Sequence, residues 1–138
     1  MKRLLLALGL CLAVSSSAQA QGPIVGPGQF VLCPKTVTLA VGPSAITQIL
    51  AAQTGQAIFI CGWHVTNTAA AGTFSLSYGT GSNCGTGTTT IIPAQNVTST
   101  APATDHIDYA FFNTPVSQAL CITPSVATIA AVIYTNQF

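Results

Sequence analysis

Both carboxylates of the chain, Asp105 and Asp108, lie beside one of its two histidines in the run Asp105-His106-Ile107-Asp108. On a strand, side chains alternate between faces. His106 and Asp108 would then share one face, with Asp105 on the other, beside Ile107 and Tyr109. Together with His64 they could bind a divalent metal, or they could serve as the acid–base couple of a metal-dependent hydrolase. Read as a loop, Pro102 to Asp108 would free both carboxylates for calcium. Calcium takes six or more oxygens, so backbone carbonyls would have to supply the rest. The plainer reading is a solvated edge on which His106 pairs with Asp108, because two ligands without a third define no site. We therefore expect no metal and no other cofactor, and keep Asp105, His106, Asp108 and His64 as the candidate ligands.

Nucleophilic catalysis needs a serine or cysteine beside a base and an orienting acid. Ser75, Ser77 and Ser82 stand in no context resembling a nucleophile elbow, and the sequence favours a protein without catalytic activity. The stretch Gly79 to Gly87 resembles a phosphate-binding loop only in its glycine content. No lysine follows it and no helix is predicted after it, so it reads as a turn or crossover held at Cys84. A sugar-binding face would use flat rings with polar tips. Trp63, Tyr78 and Tyr109 are the candidates for it, with Tyr134 a further ring. Against this, Trp63 alternates with Cys61 and Phe59, a pattern that can also turn it into a core.

Charge is scarce. Charged residues make up 4% of the chain, and beyond residue 20 they are Lys35, Asp105 and Asp108 alone. Nothing here forms a basic patch, which argues against nucleic acid as a partner. The chain opens with Met1-Lys2-Arg3, an apolar run from Leu4 to Val14, and Ala18-Gln19-Ala20. This order reads as an export signal over residues 1–20, cleaved after Ala20. The apolar run is shorter than the about 20 residues needed to cross a bilayer. Residues 21–29 form a Gly/Pro-rich arm, expected to be flexible, and 30–138 a single domain. No membrane span is expected once residues 1–20 are removed, and the product should be secreted, periplasmic or at a bacterial-type cell surface.

Loss of the signal removes Cys11 and leaves Cys33, Cys61, Cys84 and Cys121. An even number of dispersed cysteines in an exported chain, with no C-x-x-C pair, reads as a disulfide framework. Four cysteines allow three pairings. Cys61 and Cys121 lie in apolar strand-like runs, Cys33 beside a proline and Cys84 in the glycine-rich loop. Pairing strand with strand and loop with loop gives Cys61–Cys121 and Cys33–Cys84 as the favoured arrangement.

These groups must be positioned by strands. Val37, Leu39 and Val41 alternate with Thr36, Thr38 and Ala40. The same period of two recurs in Phe74, Leu76, Tyr78 and in Ile107, Tyr109, Phe111. Ala57 to Thr66 and Val126 to Thr135 are apolar on both faces and read as central strands. Turn signals separate the runs, at Gly42-Pro43-Ser44, Gln53-Thr54-Gly55, Asn113-Thr114-Pro115 and Thr123-Pro124-Ser125. Residues 44–53 suit a short helix capped by Ser44 or a strand favoured by Ile46, Thr47 and Ile49, and stay open between the two. The expected fold is all-β: an antiparallel sandwich of about eight strands, jelly-roll-like and disulfide-stabilised.

The succession Ile60-Cys61-Gly62-Trp63, Tyr78-Gly79-Thr80-Gly81, Asn83-Cys84-Gly85-Thr86-Gly87 and Leu120-Cys121-Ile122 resembles a group of small secreted Gly/Thr-rich all-β proteins from bacteria and their phages. It covers most of the chain beyond residue 20. The resemblance implies the β fold and export, and it carries no activity or site with it.

Taken together, the sequence points to a non-catalytic β-domain that associates with itself or docks on another extracellular protein. A glycan-binding module is the first alternative and a metal-dependent hydrolase at Asp105, His106 and Asp108 the second.

Overall fold

The computed structural model describes residues 31–68, 71–125 and 129–138. The export signal and the Gly/Pro arm lie outside these residues. Nine strands run through the described part: β1 (Lys35–Val41), β2 (Thr47–Leu50), β3 (Ile58–Asn67), β4 (Gly72–Thr80), β5 (Thr86–Val97), β6 (Ala103–His106), β7 (Phe112–Asn113), β8 (Ala119–Pro124) and β9 (Ile129–Gln137). They form two antiparallel sheets. One has the order β1-β9-β3-β6, with the short β7 also on β3, and the other β2-β8-β4-β5. The open segment 44–53 resolves as strand β2, because Ile49 turns into the core and the strand pairs with β8.

The strand order has a simple origin. β1 pairs with β9, β2 with β8, β3 with β6 and β4 with β5. Those are the rungs of one long hairpin whose tip is the β4–β5 turn. Rolling that ribbon up adds the pairs β3–β9 and β4–β8 and closes the two sheets face to face. This winding is a jelly roll. The expected fold is therefore the observed one.

Alternation explains which faces meet. Val37, Leu39 and Val41 of β1 turn toward the interior, while Thr36, Thr38 and Ala40 stay exposed. The two runs apolar on both faces become β3 and β9, which lie side by side in the middle of their sheet. Ile58, Ile60 and Val65 of β3 meet Phe74 and Leu76 of β4 and Ile122 of β8 from the opposite sheet, all of them fully buried. Burial of each such side chain contributes roughly 1.5–3 kcal/mol.

The disulfides join Cys33 to Cys61 and Cys84 to Cys121. This corrects the favoured pairing of Cys61 with Cys121 and Cys33 with Cys84. Cys61 belongs to β3 and Cys121 to β8, on different sheets, and packed sheets stand about 10 Å apart. Neither sulfur joins the central core that lies between them. A disulfide needs Cα atoms within about 7 Å, and the observed pairs stand at 5.9 and 6.3 Å. Being apolar and strand-like therefore did not place the two cysteines together. Each is instead bridged to the loop segment that covers its own sheet. In the chain-entropy picture each loop so closed contributes about 3–4 kcal/mol.

The Gly79–Gly87 stretch spans the turn between β4 and β5, as its composition suggests, with its two ends in the strands themselves. Gly81, at φ 74°, leads into a single 3-10 turn at Ser82–Cys84. Cys84 then tethers that turn to β8, and Asn83 Oδ1 accepts a 3.2 Å hydrogen bond from the Gln48 amide of β2.

Candidate functional site

Strand β3 is irregular at Cys61. Its register against β9 shifts between Ile60 and Gly62, so Cys61 is the extra residue of a β-bulge. The chain facing it has to accommodate that extra residue. The Ile107 amide donates to the Cys61 carbonyl at 3.0 Å and the Phe111 amide to the Ile60 carbonyl at 3.1 Å. The intervening Asp108, Tyr109 and Ala110 swing out of the sheet. There the Ala110 amide donates to the Val31 carbonyl at 2.8 Å, and Tyr109 forms an isolated bridge with Leu32. The alternation from His106 to Phe111 therefore does not continue as one strand. β6 ends at His106, because the bulge removes the regular edge on which it would pair.

The excursion and the disulfide together enclose an open cavity of about 400 Å³. Leu32, Cys33, Pro34 and Cys61 form one part of its wall, and His106, Ile107 and Asp108 the other. Its size falls in the range of small-molecule sites. Leu32, at 63% exposure, and Tyr109, at 43%, give this region an apolar surface.

His106 and Asp108 thus line one cavity, His106 from the last position of β6 and Asp108 from the loop that follows, so the strand alternation expected to join them is not what does so. Asp105 does not join them. It pairs with Trp63 in the β3–β6 register, while His106 pairs with Gly62. His64 lies opposite Thr104, and its Nδ1 shares a 2.7 Å hydrogen bond with the Thr104 hydroxyl. The His106 ring instead packs on Tyr134, with centroids 4.3 Å apart. Among the described residues, no three His, Cys, Asp or Glu side chains converge in an arrangement that could hold a metal ion.

The three candidate sugar-stacking rings do not share a face. Trp63 is 6% exposed and packs edge-on to Phe74 and at a tilt on Phe111, with centroids 6.3 and 5.6 Å away. It is a core residue, as the plainer reading had it, and the alternative of a sugar-stacking platform is not formed. Tyr78 is half-buried on the other sheet, opposite Leu120. Tyr109 is exposed next to the cavity, bridged to Leu32 of its wall, but does not line it.

Sequence reasoning passed over Leu32, Pro34 and Ile107. A usable signal existed in Cys61-Gly62. Glycine inside a strand pattern marks a bulge or a close approach of backbone. A Cβ on Gly62 would collide with the Asp105 carbonyl and stand 2.6 Å from His106 Cα. Glycine is what allows β6 to approach so closely.

No family model matches this chain, and no curated protein or solved structure shows significant similarity to it.

Proposed function

We propose that this is an extracellular, non-catalytic β-domain that works by packing its sheets against a second copy of itself or another extracellular protein. The observation that carries the reading is the charge distribution. The four strands of the sheet β2-β8-β4-β5 contain no Asp, Glu, Lys, Arg or His. Lys35, Asp105 and Asp108 all belong to the other side of the sandwich, at β1 and around β6. Edge strands carry unpaired backbone amides and carbonyls, and charged side chains are a usual guard against pairing with another chain. Both edges of this sheet, β2 and β5, lack that guard.

Two further features support the reading. Two disulfides suit an oxidising, extracellular setting. No helix among the described residues is long and apolar enough to cross a membrane.

Light scattering of the secreted protein across a concentration series tests self-association. Concentration-dependent growth in mass, suppressed by Thr90→Lys on the exposed part of β5, is the expected result. A monomer at every concentration that also binds no extracellular protein would overturn the proposal.

A further inference from the structure

The two disulfides differ in what covers them. Cys84 and Cys121 are fully buried and pack with Ala119 in a small cluster of their own. Cys84 Sγ lies 3.5 Å from the Ala119 carbonyl oxygen. Cys61 is buried as completely, but its partner Cys33 is partly exposed, and both residues line the open cavity. Thiol–disulfide exchange requires a thiolate to reach one sulfur of the bond, so access decides which disulfide reacts and at which atom. The only cysteine with exposed surface among the four is Cys33.

We propose that the Cys33–Cys61 bond is an exchange site for small thiols, with Cys33 Sγ as the atom attacked. The cavity supplies the approach, with Leu32, Pro34 and Ile107 as its apolar lining beside His106 and Asp108, and suits a compact thiol that carries no charge besides its thiolate. The external thiolate forms a new S–S bond to Cys33. The Cys33–Cys61 bond breaks, and its electron pair leaves on Cys61 Sγ, which takes a proton from water in the cavity. One disulfide is exchanged for another, with no net oxidation. In the reverse step the Cys61 thiolate attacks Cys33 and expels the small thiol.

The fold adds a consequence. Cys33 is the covalent anchor of the segment that precedes β1. Without it, the contacts that hold that segment among the described residues include the Ala110-to-Val31 hydrogen bond, the Leu32–Tyr109 bridge and a 2.9 Å hydrogen bond from Asn136 Nδ2 to the Leu32 carbonyl. The core strands and Cys84–Cys121 do not depend on it. Modification at Cys33 would leave this leading segment without its covalent anchor, and so looser, while the sandwich stays intact. The inference is independent of the proposed docking role.

The test treats the native protein with 2-mercaptoethanol, quenches with iodoacetamide at intervals and maps the modified peptides by mass. The expected product carries 2-mercaptoethanol on Cys33 and carbamidomethyl on Cys61, formed at least tenfold faster than any labelling of Cys84 or Cys121. Labelling of all four cysteines at one rate, an adduct on Cys61, or no reaction short of unfolding would each overturn the proposal. Hydrogen exchange on the singly modified protein gives a second readout that requires no substitution. The Ala110 amide should exchange faster while those of β4 and β8 stay protected. Loss of protection throughout would show that this bond holds the whole fold, and the inference would fall.

Discussion

His106 and Tyr134 lie on strands that do not pair with each other, yet their rings meet with centroids 4.3 Å apart. Both are cross-strand partners of Gly62, His106 from β6 and Tyr134 from β9. The glycine offers no side chain of its own; the β6 backbone at Asp105 and His106 fills the space where a Cβ would stand, and the two rings pack on each other beside it. The wall of the cavity is therefore fixed from β9 as well as from β6.

Gly62→Ala tests that arrangement. The added methyl would strike the Asp105 carbonyl and crowd His106 Cα. Backbone rather than a flexible side chain has to move, so we expect destabilisation of about 1–3 kcal/mol. Urea denaturation measures the loss, and NMR should show the His106 and Tyr134 ring signals shifting together.

Thr114 ties the end of β7 to the start of β3. It is fully buried, its hydroxyl accepts a 3.0 Å hydrogen bond from the Ile58 amide, and its own amide donates to the Ile58 carbonyl at 2.9 Å. Thr114→Val keeps the shape and strands the Ile58 amide. Leaving a buried donor unpaired costs about 1–3 kcal/mol, which should register as a lower midpoint in chemical denaturation with an unchanged slope.

Thr135 presents the opposite case. It is 1% exposed, and its hydroxyl finds no hydrogen-bond partner among the described residues. Thr135→Val removes that polar atom at nearly constant volume. The variant should be as stable as the parent or more stable by about 1 kcal/mol, and a loss of stability in thermal unfolding would contradict the burial argument.

Trp63 should behave as a core reporter. Its position between Phe74 and Phe111 predicts blue-shifted fluorescence that sugars leave unchanged and that moves to the red on unfolding. Trp63→Ala should cost about 3–5 kcal/mol. A sugar-dependent emission shift in the folded protein would revive the glycan reading.

Much of the architecture was legible in the residues. Period-two alternation marked β1 over Thr36–Val41 as a strand with one inward face; in β4 it held through Phe74 and Leu76 and broke at a register shift, where Ser77 is buried and Tyr78 only half-buried. The doubly apolar runs became β3 and β9, neighbours in the middle of one sheet. Residues 44–53 stayed ambiguous because a capping serine and β-branched residues pull in opposite directions, and pairing with β8 decided for strand. The candidate site was legible only in part. His106 and Asp108 both line the cavity, but not through strand alternation, since β6 ends at His106; Asp105 and His64 go elsewhere. Trp63 read more readily as a core ring than as an exposed one, and packing bears that out.

Local composition by itself determined that this chain makes strands, where they break, and that its surface carries almost no charge, because each of these is set by neighbouring residues. The disulfide partners, the bulge at Cys61 and the cavity beside it were decided only by the tertiary structure. They depend on which segment crosses outside which sheet once the ribbon has rolled up. Contacts between Cys33 and Cys61, or between Leu32 and Tyr109, are long-range, and no spacing along the chain encodes them.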